Sequence, residues 1–148
     1  MYKQVIVVNK SLNMSPGKMA AMVAHGSVAY FTNWLKFNVD TYSAVNNSIY
    51  KMKNDAVFSK KIYDKWVNDS FCKIIVEAED EAEMRTIIEC AQENGFKKGI
   101  DYFNIVDDST EFYGIPEWAV IGFRPMDSRM IDKVTGYLPL YGHGKVSS

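Results

Sequence analysis

A chain of 148 residues, 47% hydrophobic and 24% charged, suits one domain with its own core and excludes a disordered polymer. No apolar run approaches the roughly 18 residues of a membrane span, and the strand-like N-terminus lacks a signal-peptide cleavage pattern, so a cytoplasmic protein with no membrane partner is expected. The net charge of −1 excludes a uniformly basic surface but hides a polarity: residues 1–65 carry nine lysines against Asp40, Asp55 and Asp64, while residues 66–148 hold eight basic and fifteen acidic groups.

In chain order, Gln4–Asn9 (QVIVVN) reads as a strand buried on both faces, because its run of β-branched residues is continuous rather than alternating. After the loop KSLNM, Ser15 stands at an N-cap, Pro16 at the first helical position and Gly17 beside it, and the helix they start extends to about Lys36. Its small residues Ala20, Ala21, Ala24, Gly26 and Ser27 allow close approach to a sheet. Residues 37–65 are polar, lysine-rich and dotted with aromatics; their partial 3.6-residue spacing predicts helix without clear caps. Phe71–Ala78 (FCKIIVEA) predicts a second strand. In EDEAEMRTIIECAQENG, Met84, Ile87, Ile88 and Ala91 form one face and Arg85, Glu89, Gln92 and Glu93 the other, with acidic residues at the start and Gly95 at the end: an amphipathic helix.

Asp101–Val106 and Trp118–Phe123 predict two further strands. The segment between them has no helix-length pattern, which favours antiparallel neighbours. MDSRMIDKVTG reads as a short helix capped by Asp127 and ended by Gly136, and residues 142–148 as a mobile tail. The order implies a single α/β domain with a mixed sheet of about four strands. Cys72 and Cys90, in no metal-binding spacing, are expected to be buried, unreactive thiols, and no metal or cofactor is expected.

Strand, loop, Gly17-Lys18 and helix together invite comparison with a nucleotide phosphate loop, but Leu12 and Met19 occupy the positions where that motif needs glycine and a hydroxyl. Lys18 still lies in a first helical turn, where dipole and ammonium together favour an anion; a plain surface lysine is the structural alternative. His25 follows seven residues later on the same stripe, about 10 Å along the axis, so the two can flank one substrate without acting on one atom. A structural histidine near the sheet is an equal reading. Asp107, Asp108 and Glu111, just past the third strand, are candidates for acid–base work, although with Ser109 and Thr110 they also make ordinary turn chemistry. A GxSxG elbow is absent, which argues against a Ser-His-Asp hydrolase.

Two strings together carry a family resemblance. KQVIVVNKSLNMSPGKMAAMVAHGSVAY resembles the N-terminal signature of type-II (archaeal and eukaryotic) peptidyl-tRNA hydrolases, KQV-(I/L)-VVR-x-DLKM-x-KGK-(I/V)-AAQCAHA. VIGFRPMDSRMIDKVTGYLPLY resembles their closing pattern, VLGIGP followed by IDKVTG-x-L-x-L. The resemblance brackets nearly the whole chain, and residues 37–65 look longer than the usual connection. It implies a four-stranded mixed sheet with helices on both faces, often in a homodimer, that cleaves the ester between a peptide, or an N-blocked amino acid, and the 3′ ribose of tRNA. The motif lysine falls on Lys18 and the AHA histidine on His25. Met22 replaces the glutamine, and Asn9, followed by Lys10, replaces the basic residue; Lys10 and Lys18 are the implied tRNA contacts. The D-A-G-R-T-Q loop reads DDSTEF. Counted from the strand, Asp107 and Glu111 take the places of its aspartate and threonine; counted back from Pro116, Asp108 and Phe112 do. Thr110 is the candidate for the threonine's role from a shifted position. Asp107 or Asp108 would then activate water and Lys18 would stabilise the oxyanion. The broken motif also suits a relative that binds tRNA or a protein without turnover.

Overall fold

Val5, Ile6, Val7 and Val8 are each at most 1% exposed, as a strand covered on both faces requires. They lie in β1 (Tyr2–Asn9), which pairs in parallel with β4 (Lys73–Ala78) and antiparallel with β6 (Glu117–Phe123). β6 in turn pairs antiparallel with β5 (Tyr102–Asp107), giving the order β4-β1-β6-β5. A two-residue strand β7 (Met126–Asp127) adds a fifth member by pairing with Tyr2 and Lys3, which is why β1 begins at Tyr2, two residues before the expected start at Gln4. The computed structural model describes residues 1–45, 49–108 and 115–143, the side chains of 41–45 excepted.

Alternate residues of β1 serve the two faces. Ile6 and Val8 join Ala29, Met22 and Val23 of helix α1 (Pro16–Asn38), with Ile105, Ala119 and Val120 of the sheet. Val5 and Val7 join Met84, Ile87 and Ala91 of α3 (Glu81–Glu93) and Ile131 and Val134 of α4 (Ser128–Thr135). The architecture is therefore the expected mixed sheet with helices on both faces. Asp80 caps α3 by accepting from the Glu83 amide at 2.9 Å. Gly95, with φ +84°, closes α3 in the left-handed conformation, and the Phe96 amide reaches back to the Ala91 carbonyl. Asp127 caps α4, and Gly136 ends it.

One contact fixes α1 on the sheet. A Cβ on Gly122 of β6 would lie 2.2 Å from the Gly26 carbonyl oxygen, and a Cβ on Gly26 would lie 2.8 Å from Val120 Cγ1. Only glycine at both positions lets the helix backbone rest on the strand.

The helical expectation for residues 37–65 is wrong over its first half. α1 passes directly into a hairpin of β2 (Val39–Val45) and β3 (Ile49–Met52), with Val39 opposite Met52 and Asp40 opposite Lys51. All four β3 residues are exposed, so no core-facing alternation marks the strand in the sequence. Helix does occur later, as α2 (Lys60–Ile62) continuing into a wider π-type stretch, Tyr63–Ser70. It is anchored by Trp66, 1% exposed, which stacks on Phe31 of α1 at 5.8 Å and donates to the Cys72 carbonyl at 2.8 Å. Phe71, in the left-handed conformation at φ +49°, ends this helix, so β4 begins at Lys73 rather than at Phe71.

Neither cysteine is fully buried, contrary to expectation; both are half-buried, Cys90 with its sulfur 3.6 Å from the Lys133 carbonyl. Among the described residues no helix is long and apolar enough to cross a membrane. The tail beyond residue 143 lies outside the described residues.

Candidate active site

β1, β4 and β5 run in the same direction, so their carboxyl ends share one edge of the sheet, and α1 begins at that edge. Five polar side chains are buried among the described residues, Gln4, Asn9, Glu77, Asp107 and Thr135, and three of them, Asn9, Glu77 and Asp107, sit there. Carboxyl ends of strands are where α/β sheets hold ligands, because loops diverge there and helix amino ends converge.

Asp107 reaches the α1 side by strand parity. Phe103 and Ile105 belong to the α1-side cluster, and the next residue of that parity is Asp107. The opposing strand bulges at this point: Ile105 faces Val120 but Val106 faces Trp118, which leaves Ala119 as the extra residue. Lys18, third in α1 after the cap Ser15 and Pro16, brings Nζ to 3.3 Å from Asp107 Oδ1. The Asp107 side chain is 3% exposed and that of Lys18 is 19% exposed. A buried carboxylate is costly without compensation, and here the ammonium and the amino end of α1 supply it.

Two neighbours extend the edge. Lys10 Nζ lies 3.5 Å from Glu77 Oε2 while 56% of the lysine side chain remains exposed. Asn9 accepts from the Ser11 amide and hydroxyl, at 3.2 and 2.6 Å, and donates to the Trp118 carbonyl at 3.0 Å, tying β1 to β6. The asparagine that departs from the resembled motif is thus a buried cap of the turn Lys10–Leu12. Glu77 was not singled out by sequence reasoning; its signal was a carboxylate inside the apolar run of β4, opposite Val8.

Among the described candidates, the structure brings Lys18 and Asp107 together. His25 is exposed and lines a separate polar cavity of about 280 Å³ with Lys36 and Lys98. Asp108 is exposed. Ser109, Thr110 and Glu111 lie outside the described residues. A larger cavity, about 570 Å³, occupies the opposite flank of α1 against β4; Met19, Val23 and Ile75 make it apolar, and Lys73 is its one charged lining residue. At the Lys18–Asp107 pair a carboxylate that can accept a proton adjoins a cation that can stabilise an oxyanion.

A mixed α/β sheet with this pair at its carboxyl edge fits the class of carboxylic ester hydrolases that the resemblance points to. The family model described as peptidyl-tRNA hydrolase PTH2 matches residues 2–141, and the chain belongs to that family. Among its relatives, the peptidyl-tRNA hydrolase of Methanopyrus kandleri is 29% identical over 95% of this chain and 98% of its own length. That of Thermococcus onnurineus is 31% identical over 94% and 97%. The human mitochondrial peptidyl-tRNA hydrolase 2 is 25% identical over 95% of this chain and 64% of its own length.

Proposed function

We propose that the chain hydrolyses the ester joining a peptide, or an N-blocked amino acid, to the 3′ ribose of tRNA, with Asp107 as general base and Lys18 as oxyanion stabiliser. The 3.3 Å contact of Lys18 with Asp107 at the carboxyl edge of the sheet carries this reading. Asp107 accepts a proton as water adds to the ester carbonyl carbon. The tetrahedral oxyanion forms beside the Lys18 ammonium, whose donors favour it over the neutral ester. Collapse breaks the bond to the ribose 3′ oxygen, which takes the proton back from the Asp107 carboxyl. Burial of Asp107 keeps bulk water from competing for its proton-accepting oxygens, and the exposed Asp108 lacks that setting.

Lys10, exposed beside Glu77, is read as a tRNA phosphate contact at the same edge, and Lys18 as the contact nearest the ester. His25, about 10 Å from Lys18 along α1, serves the tRNA side of the site rather than the carbonyl. Thr110, adjoining β5 in sequence, is retained as the hydroxyl of the loop. The reading takes the chain as one hydrolase domain with residues 37–65 as an addition to it, cytoplasmic with the translation machinery, and paired as a homodimer as the resemblance implies.

Release of N-acetyl-amino acid from N-acetyl-aminoacyl-tRNA tests the proposal. Loss of one oxyanion-stabilising group costs about 10²–10³ in kcat, the effect expected of Lys18→Ala; equal rates for wild type and variant would refute the role. The departure of DDSTEF from D-A-G-R-T-Q favours a second reading, a member that binds tRNA without turnover. Its mark would be salt-sensitive tRNA binding with no release.

A further inference from the structure

The cavity of about 280 Å³ on the β5 flank of α1 has no part in the ester chemistry, yet two lysines and a histidine line it. His25, Lys36 and Lys98 line it, with Thr32 and Asn33, and its lining contains no carboxylate. Among the described residues neither Lys36 nor Lys98 is in an ion pair, whereas Lys10 and Lys18 at the carboxyl edge of the sheet are paired with Glu77 and Asp107. Both lysines are exposed, so their charge faces solvent.

The cavity has fixed walls. One is α1, where Lys18, His25, Thr32 and Lys36 recur at helical spacing on a single stripe. The other is the turn carrying Lys98 and Gly99, followed by Phe103 and Ile105 of β5. Asn33 Nδ2 clamps the two by donating to the Gly99 carbonyl at 3.2 Å. Gly99, at φ +79°, donates its amide to the Tyr102 carbonyl at 2.8 Å, so Lys98 is carried on a tight turn rather than a loose loop. The same helix stripe and the same strand lead to Lys18 and Asp107, because Asp107 lies two residues beyond Ile105 on the same face of β5. His25 stands about 10 Å and Lys36 about 27 Å from Lys18 along the helix axis.

From this juxtaposition we infer that the His25–Lys36–Lys98 cavity is a subsite for the sugar-phosphate backbone of the tRNA 3′ strand, upstream of the nucleotide that bears the ester. The inference rests on the proposed tRNA-ester site. An ester at Lys18 fixes the terminal nucleotide there, and the phosphates of preceding nucleotides then follow in series. A line of basic side chains on one flank, starting at the ester and running into a cavity whose lining holds no carboxylate, matches such a series. A single anionic side chain of a protein partner would need only one of them.

The test compares Lys36→Gln/Lys98→Gln with wild type on two substrates. On N-acetyl-aminoacyl-tRNA the double variant raises KM about tenfold or more, with kcat nearly unchanged, and lowers the slope of log affinity against log salt by about 1–2. On N-acetyl-aminoacyl-adenosine, which keeps the ester but has no upstream phosphates, variant and wild type are equal. Lys97→Gln, an exposed neighbour outside the cavity, has little effect on either substrate. An unchanged KM and salt slope, an equal loss on the adenosine ester, or an equal loss from Lys97→Gln would each overturn the subsite. If wild type hydrolyses neither substrate, the ester reading fails separately. Anisotropy with fluorescent deacylated tRNA then decides: weaker, less salt-dependent binding by the double variant upholds the subsite, and unchanged binding overturns it.

Discussion

Gly122→Ala links backbone packing to chemistry and gives the sharpest structural prediction. The added Cβ would sit 2.2 Å from the Gly26 carbonyl oxygen and 2.8 Å from its C and Cα, where ordinary contact begins at 3.4 Å. All three obstacles are backbone atoms of α1, so no side chain can rotate away; the helix must lift by about 1 Å from β6. Overpacking of this kind costs about 1–3 kcal/mol, or about 2–4 °C in Tm per kcal/mol for a chain of this size. The same movement carries Lys18, about 12 Å up the helix axis from Gly26, away from Asp107. At 3.3 Å their contact is already at the long end for a hydrogen-bonded pair, so it has little margin. Misplacement of a reacting group by about 1 Å can cost about 10²-fold in rate. Urea unfolding and the release assay on the same preparation measure both effects. An alanine variant with unchanged urea midpoint and unchanged rate would refute the close-approach argument and the dependence of the site on it.

Other perturbations separate fold from function. Trp66→Ala removes a fully buried indole stacked on Phe31 and hydrogen-bonded to the Cys72 carbonyl, and should cost about 3–5 kcal/mol in urea unfolding, with kcat little changed where the protein remains folded. Asp127→Ala removes the α4 cap. Arg129, through its side chain and its amide, holds the Asp127 carboxyl well below the usual carboxylate range. A depressed folded-state pKa means that the stabilisation is complete above the unfolded value, near 3.8, and is lost as pH falls toward the folded value. The Tm gap between wild type and Asp127→Ala should therefore be constant through neutral pH and close only on strong acidification; a gap that closes near pH 6 would contradict the assignment.

How far the sequence could be read depended on whether burial imposed a pattern. Val5–Val8 and the Met84–Ile87–Ala91 face were legible because the core acts on every residue of those elements. β2 and β3 were not, since Ile49, Tyr50, Lys51 and Met52 touch no core and carry lysine and aromatic residues at spacings that mimic a helix. At the site, Lys18 was legible from its place after Pro16 and Gly17, and the choice between Asp107 and Asp108 was not. Strand parity decides which of two adjacent carboxylates turns inward, and that parity is set by the pairing with β6, which lies on the far side of the loop. Glu77 escaped notice, and Asn9 was seen only as a departure from the motif and not as a buried cap, because their partners, Lys10 and the Trp118 carbonyl, become neighbours only when the sheet forms.

Asp107→Asn keeps the shape of the side chain and removes its ability to take a proton, so it addresses the proposed chemistry most directly. With N-acetyl-aminoacyl-tRNA at saturation, wild type should release N-acetyl-amino acid while Asp107→Asn loses about 10²–10⁴ in kcat with tRNA affinity retained. A folded Asp107→Asn protein that releases product at the wild-type rate would contradict the account.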